Sequence, residues 1–322
     1  MVSGRFPCVR AGKLTEALGI PHDALSRGVP PQFEDVYDRL YALRCGSQHD
    51  YAKFFREHDY KLIHVHNEPN WPVIIAKENQ SAPVIMDVHD VTSARPGSFI
   101  DPYEEAAYDA ADAFVFVTEQ QRDFCISKGF KVEGKPYACI GNFASDSTFV
   151  ERKHLPQLGG VVYAGGADPR GTEDSWRDLS PVADALSRAE IPFNIFAGNP
   201  GVDYGLVHGM IMEYRVLIER LSQFGWGFTG VPVANSAWEH SLPNKVYEYL
   251  AAGIPFIALN NPLLKPLCDE GLGIYVDSVD AVPVAAMVDP KPYKKRVLAQ
   301  RHRFSMSYNI APVRALYKEL GG

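Results

Sequence analysis

The chain has 322 residues, 46% apolar and 22% charged, and a formal charge of −7 at neutral pH. That length suits two domains rather than one, and the balance excludes a disordered or fibrous chain. The mild negative charge argues against a protein that grips phosphate backbones over a broad surface. Five scattered cysteines (Cys8, Cys45, Cys125, Cys139 and Cys268) form no CxxC pair. They read as reduced thiols of a cytoplasmic protein, not as a disulfide framework or a zinc site. No apolar stretch reaches the length of a membrane span, and the N-terminus carries no signal-like apolar core. Contact with a membrane surface and the oligomeric state stay open.

The first sixty residues offer helix-like patches at Gly12–Leu18 and Glu34–Leu43 but no convincing first strand. From about residue 60 short apolar runs alternate with longer amphipathic segments, the pattern of βα units and parallel sheets. Strands are predicted at Leu62–His66, Val84–Val88, Ala113–Val117 and Pro136–Ile140, with helices at Pro102–Ala111 and Glu119–Lys128 between them. A polar, proline-punctuated stretch, Asn142–Pro156, reads as a linker. A second series follows, with strands at Gly160–Ala164, Phe193–Ala197, Gly227–Thr229, Phe256–Leu259 and Gly273–Val276. Two such sheets would face one another across a cleft, with ligands at the carboxyl ends of strands. The domains are therefore placed at residues 1–150 and 151–302.

Ser241-Leu-Pro-Asn-Lys-Val-Tyr-Glu-Tyr-Leu-Ala-Ala-Gly-Ile-Pro255 is the most informative segment. Ser241 suits an N-cap, Pro243 a first turn and Gly253 a C-terminal cap. Val246, Tyr249 and Leu250 form a packing stripe, and Lys245 and Glu248, three apart, lie side by side on its flank. A helix N-terminus with a lysine in its first turns attracts a pyrophosphate, and a carboxylate one turn on can hold ribose hydroxyls. An ordinary surface helix with an i,i+3 ion pair fits the spacing equally well.

This segment resembles the donor-binding helix of the retaining GT-B glycosyltransferases of the large family-4 group, with its lysine followed by Glu-Tyr-Leu-Ala-x-Gly-x-Pro. The resemblance extends to His64-Val-His-Asn-Glu-Pro-Asn70, Met86-Asp-Val-His-Asp90, Ile140-Gly-Asn-Phe143 and Ser305–Leu320, and so covers roughly residues 60 to 320. It implies an α/β fold of two facing Rossmann-like domains with parallel sheets. The first would bind the acceptor and the second the donor, and a C-terminal helix (303–322) would cross back to the first. The implied activity is metal-independent transfer of a hexose from a nucleoside-diphosphate sugar to an acceptor hydroxyl, with retention. UDP is the favoured donor base, GDP the second, and no cofactor is required.

Carried over residue by residue, Lys245 meets the donor phosphates, Glu248 the ribose and His89 the donor sugar. Asp90 orients His89 or binds acceptor. Asn244 and His240 flank the donor, while Gly230 and Val231 meet the base through the backbone. Gly4, Arg5, His66 and Asn67 face the acceptor. Two features depart from the family. Its first glutamate, eight positions before Glu248, is replaced by His240, with Glu239 adjacent. In the loop Tyr163-Ala-Gly-Gly-Ala-Asp-Pro-Arg-Gly171, Gly166 stands where an arginine is usual. Arg170 reads as the cation within reach, and Gly165 and Gly166 let the backbone approach the diphosphate. A plain glycine turn is the competing reading.

His64, His66, Asp87 and His89 could in principle ligate a metal. The resemblance favours a polar cleft with no metal, and His64 reads as structural. Trp226 and Trp238 read as core residues or as stacking platforms. A dinucleotide oxidoreductase is set aside because no G-x-G-x-x-G follows a strand. A metal-dependent hydrolase and a non-catalytic nucleotide-binding member of the fold remain as rivals. Among acceptors, glycan, lipid and modified nucleic acid are not separated, the last corresponding to a phage-type DNA sugar transferase.

Overall fold

The computed structural model describes residues 2–3, 8–26, 31–42, 47–94, 101–149, 157–172, 175, 177–197, 201–209, 213–233, 236–240 and 242–321. Two compact units divide the chain. Unit 1 comprises residues 1–145 and 306–322, and unit 2 residues 146–305.

In unit 1 the strands are β1 (Val2–Ser3), β2 (Asp23–Ser26), β3 (Arg39–Ala42), β4 (Ile63–His66), β5 (Val84–Val88), β6 (Ala113–Phe116) and β7 (Tyr137–Cys139). They form one parallel sheet in the order β3-β2-β1-β4-β5-β6-β7. Strand β4 pairs with β5 in register His64 to Ile85 and His66 to Asp87. Both strands, and β6 beside them, are buried along their whole length. That burial is why β6 reads as a continuous apolar run, whereas β4 and β5 carry the buried polar residues His64, His66 and Asp87 among their apolar ones.

Packed on this sheet, Leu14, Ala17 and Leu18 of the Val9–Leu18 helix share one core with Met306, Ile310, Val313, Leu316 and Tyr317 of the C-terminal segment. The Ala311–Glu319 helix also ties back by polar contacts. The Arg314 guanidinium donates to the carbonyl of Ala17 at 2.7 Å. A cation is thereby set against the negative end of the Val9–Leu18 helix.

Unit 2 contains β8 (Val161–Ala164), β9 (Phe193–Phe196), β10 (Leu206–Val207), β11 (Trp226–Gly230), β12 (Phe256–Leu259) and β13 (Gly273–Val276). Its sheet is again parallel, in the order β10-β9-β8-β11-β12-β13. In both sheets the chain reverses its winding beside the first strand of the unit. Doubly wound sheets place ligands beyond the strand ends at such a point.

Tyr249, on the helix Asn244–Ala252, accepts from the amide of Ala164 at 3.2 Å and donates to the carbonyl of Phe228 at 2.8 Å. It ties the end of β8 to the middle of β11 and fixes its own ring. A Cβ at Gly227 would lie 2.3 Å from that ring. Gly227→Ala should therefore cost about 1–3 kcal/mol of stability by overpacking. A urea midpoint unchanged from the parent would contradict this.

The expected helix at Glu34–Leu43 is not formed. A 3₁₀ turn spans Pro31–Val36 and β3 follows. Strands β2 and β10 were not anticipated either, being short and lacking a continuous apolar run. The helix expected to start from Ser241 begins at Asn244 with Pro243 as N-cap, and no side chain caps it. Ser241 lies outside the described residues. Its other end is as expected: Gly253 adopts φ +74°, and its amide donates to Leu250.

Candidate active site

In unit 1 the sheet register brings His64 and His66 alongside Asp87, just before the loop that carries His89. Asp87 is the centre of this cluster. Arg10, from the first turn of the Val9–Leu18 helix, donates through Nε to both carboxylate oxygens at 2.9 and 3.1 Å. Its other nitrogens donate to the carbonyls of Ile140 and Gly141 and to Oδ1 of Asn142. Both side chains are nearly inaccessible, at 2% and 0%. Burial alone would raise the Asp87 carboxyl, but Arg10, with the neighbouring histidines, holds it well below the usual range. Asp87 is ionised and can only accept hydrogen bonds.

The histidines are neutral. Burial pushes His64 down and His66 well down, and it takes His89 to about 4. His64 Nε2 lies 3.2 Å from Asp87 Oδ2, and His64 Nδ1 lies 2.7 Å from the Tyr317 hydroxyl. Since Asp87 accepts, His64 carries its proton on Nε2, and Nδ1 accepts from Tyr317. His66 Nδ1 and His89 Nε2 approach to 3.0 Å and share one proton between them. The His89 backbone is held from both sides. Asn67 Oδ1 accepts from its amide at 2.8 Å, and Gln121 donates to its carbonyl at 3.1 Å. His89 is also the partly accessible member, with 18% of its side chain exposed against 1% for His64 and His66.

The ligand atoms of Cys8, His66 and His89 lie within 4.8 Å of one another, as do those of His64, His66 and Asp87. The carboxylate is already engaged by Arg10, and burial pushes the Cys8 thiol up to about 11. As they stand, Tyr317, His64 and Asp87 form a hydrogen-bonded relay beside the His66–His89 pair, and the Cys8 sulfur accepts from the Ala11 amide.

In unit 2 a second constellation lies at the carboxyl end of β8. Gly165 has φ +143°, a conformation that favours glycine. A Cβ there would come within 3.3 Å of Lys245 Cε and 3.5 Å of Nζ. The Lys245 ammonium sits 4.6 Å from the Tyr163 ring centre and 5.8 Å from that of Trp238. Tyr163 in turn donates to the carbonyl of Gly166 at 2.7 Å. A cation, a side-chain-free backbone and the uncapped N-terminus of the Asn244–Ala252 helix therefore converge. Such a site suits a phosphate group. Glu248 follows one turn on and is largely buried, at 9% accessibility.

The remaining predicted residues fall as follows. The guanidinium over Gly166 is that of Arg177, with Nη1 3.1 Å from where a Cβ would stand. Arg170 instead makes a two-pronged contact with Asp184 at 2.7 and 2.9 Å on the exposed surface. The tight approach of Gly230 to Leu259, whose Cβ would be 2.5 Å away, gives that glycine a packing role. Val231 is buried, and its carbonyl accepts from Asn260. Asn244 is exposed and His240 half-buried, with Glu239 exposed beside it.

Asn67 is buried, and its amide group serves the loop of His89 and Asp90, whose carbonyl it reaches at 2.6 Å. Asp90 is exposed. Gly4 and Arg5 lie outside the described residues. Both tryptophans are core residues: Trp226 donates to Val288 and Trp238 to Leu259. Arg10, Arg177 and Tyr317 escaped the sequence reading. Only their partners mark them, and those lie 77, 11 and 253 positions away in the chain.

Residues 5–142 match the family model for a glycosyl transferase 4-like domain. HepE of Anabaena, solved with UDP, superposes with a TM-score of 0.67 at 11% identity, covering 99% of this chain and 98% of HepE. The chain has the GT-B fold. Sucrose-phosphate synthase from Thermosynechococcus elongatus superposes on this GT-B chain with a TM-score of 0.64 at 17% identity, over 97% of this chain and 92% of that one. AviGT4, a glycosyltransferase of avilamycin A biosynthesis, gives 0.60 at 13% identity, over 97% and 89%. No curated protein matches the sequence.

Proposed function

We propose that the protein transfers a sugar from a nucleoside-diphosphate donor, with UDP the favoured base, to an acceptor hydroxyl. The observation that supports this most directly is the laying of Lys245 over Gly165 at an uncapped helix N-terminus, with Glu248 one turn further on. UDP and UDP-glucose in the HepE structures support the choice of base. On this reading unit 2 is the donor domain and unit 1 the acceptor domain. Lys245 and Arg177 meet the diphosphate, Arg177 in the part first assigned to Arg170, and Glu248 accepts from the ribose hydroxyls. In unit 1 His89, with Nε2 engaged inward, offers Nδ1 to a sugar hydroxyl.

The reaction joins the acceptor oxygen to the anomeric carbon as the bond from that carbon to the phosphate oxygen breaks. The departing phosphate takes the acceptor proton. The protein contributes position and positive charge at the leaving group. Retention of configuration and independence from metal are carried by the family resemblance. The cytoplasmic assignment is supported by the free thiols of Cys8, Cys125, Cys139 and Cys268. No helix among the described residues is long and apolar enough to cross a membrane.

The test is a thermal-shift and calorimetric panel of UDP, GDP, ADP and CMP, with and without divalent metal. A hundredfold excess of a true ligand adds about 2.7 kcal/mol to the native state. Lys245→Ala and Glu248→Gln should each weaken the binding nucleotide about 10- to 100-fold, the worth of a hydrogen bond to a charged group. Arg177→Ala should do the same and Arg170→Ala should not. His89→Ala should lower turnover while sparing nucleotide affinity. Parent-like affinity in both Lys245→Ala and Glu248→Gln would refute the donor site. A response to metal without one to nucleotide would favour a hydrolase built on the unit 1 histidines.

A further inference from the structure

We infer that Tyr317, on the C-terminal helix, is a positioning residue for His89, acting through His64 and Asp87. The inference rests on the reading of His89 as the sugar contact. It begins from the only orientation of protons that the buried contacts allow. Asp87 is ionised, so His64 must donate to it from Nε2 and must accept at Nδ1. The Tyr317 hydroxyl, 2.7 Å from Nδ1, is the donor that fixes this tautomer. Burial pushes the Tyr317 phenol up, so it keeps its proton.

Asp87 is in this way gripped from two directions, by Arg10 on one side and by His64 on the other. Its two oxygens then lie 3.4 Å from His66 Nδ1 and 3.4 Å from His89 Nε2. The same carboxylate that His64 steadies thus stands over the single proton shared by His66 and His89. The imidazoles of His64 and His66 stack at 4.6 Å with planes 7° apart, which couples their orientations as well. Nothing in packing alone requires a phenol here. A phenylalanine would fill the same core beside Ile85, Val313 and Leu316. What the hydroxyl adds is a donor to an otherwise unsatisfied buried ring nitrogen, and such a nitrogen is costly to leave bare.

The experiment uses the full chain labelled with ¹⁵N-histidine, in which long-range proton–nitrogen spectra read the tautomer of each imidazole. His64 of the parent should appear protonated at Nε2. Tyr317→Phe should remain folded, convert His64 to a mixture of tautomers, shift the His89 nitrogens, and lower kcat three- to tenfold. Nucleotide affinity should stay unchanged. Arg314→Gln loosens the same helix without touching the hydroxyl and should leave both spectra and kcat as in the parent.

A parent His64 protonated at Nδ1 would overturn the inference without any variant. So would unchanged His64 and His89 signals in Tyr317→Phe alongside an impaired His89→Ala, which leaves the reading of His89 standing. Full turnover in His89→Ala would mean instead that the reading of His89 had failed, and the positioning role with it.

Discussion

Lowering the pH from 7.5 to 5 should remove at least about 4 kcal/mol of stability from unit 1. His22 and His89 are each pushed down to about 4 by burial, whereas an unfolded histidine titrates near 6.5. Between those values the unfolded chain binds protons that the folded one refuses, so stability falls as pH falls and levels off below about pH 4. For one histidine the difference amounts to about 2 kcal/mol at pH 5, so these two alone supply about 4 kcal/mol. His64 and His66 move the same way and add to it. The depressed carboxyl of Asp87 acts in a separate, lower window. Its contribution is present above about pH 4 and is lost only as pH falls through its own folded value. Urea unfolding at a series of pH values, read by hydrogen exchange of the segment 63–89 with labelling at one fixed pH, would measure this. A flat profile between pH 7.5 and 5 would show that the histidines are not held neutral.

Arg10→Met is expected to be the most damaging single change in unit 1, at about 3–5 kcal/mol. It leaves a buried carboxylate without its cation, and uncompensated buried charge carries a penalty of that size. Arg10 also serves the carbonyls of Ile140 and Gly141 at the end of the sheet. Pairing the change with Asp87→Leu removes the stranded charge, so the double variant should be more stable than Arg10→Met alone. A double-mutant cycle by urea denaturation gives the coupling directly. Additive losses, or a cost for Arg10→Met below about 1 kcal/mol, would show that the pair contributes little.

The parts of the fold legible in the sequence are those whose residues carry their own explanation. Ala113–Phe116 and Phe256–Leu259 are buried along their whole length and therefore appear as unbroken apolar runs, and both strands form over those residues. Gly253 and Pro255 mark the end of the Asn244–Ala252 helix by backbone geometry alone. The first sixty residues were opaque for the opposite reason. Strand β3 leaves Leu40 45% exposed at the sheet edge, so no inward-outward pattern distinguishes it from a helix. β1 is two residues long and is recognisable only by its neighbours.

The candidate site divides the same way. Lys245 and Glu248 are set by spacing within one helix and could be named in advance. Arg10 looks like any surface arginine until Asp87 is placed against it. Arg170 and Arg177 differ only in what surrounds them, since one meets Asp184 and the other a glycine. The pairing of His64 with Tyr317 joins the fourth strand to the last helix. No local pattern in the sequence could reveal it.

That last helix also dictates an order of events during synthesis. Unit 1 is interrupted in the chain by the whole of unit 2, and its core and its polar relay both draw on residues 306–317. Residues 1–145 leave the ribosome before unit 2, yet they cannot close their core until residues 306–317 have been made. Unit 2, contiguous in the chain, can finish beforehand. A nascent chain stalled before residue 306 would thus expose the sheet face that Met306, Ile310, Val313 and Leu316 later cover, making it a candidate for chaperone capture. A fragment ending at residue 145 should behave as an incomplete domain rather than as an independent one.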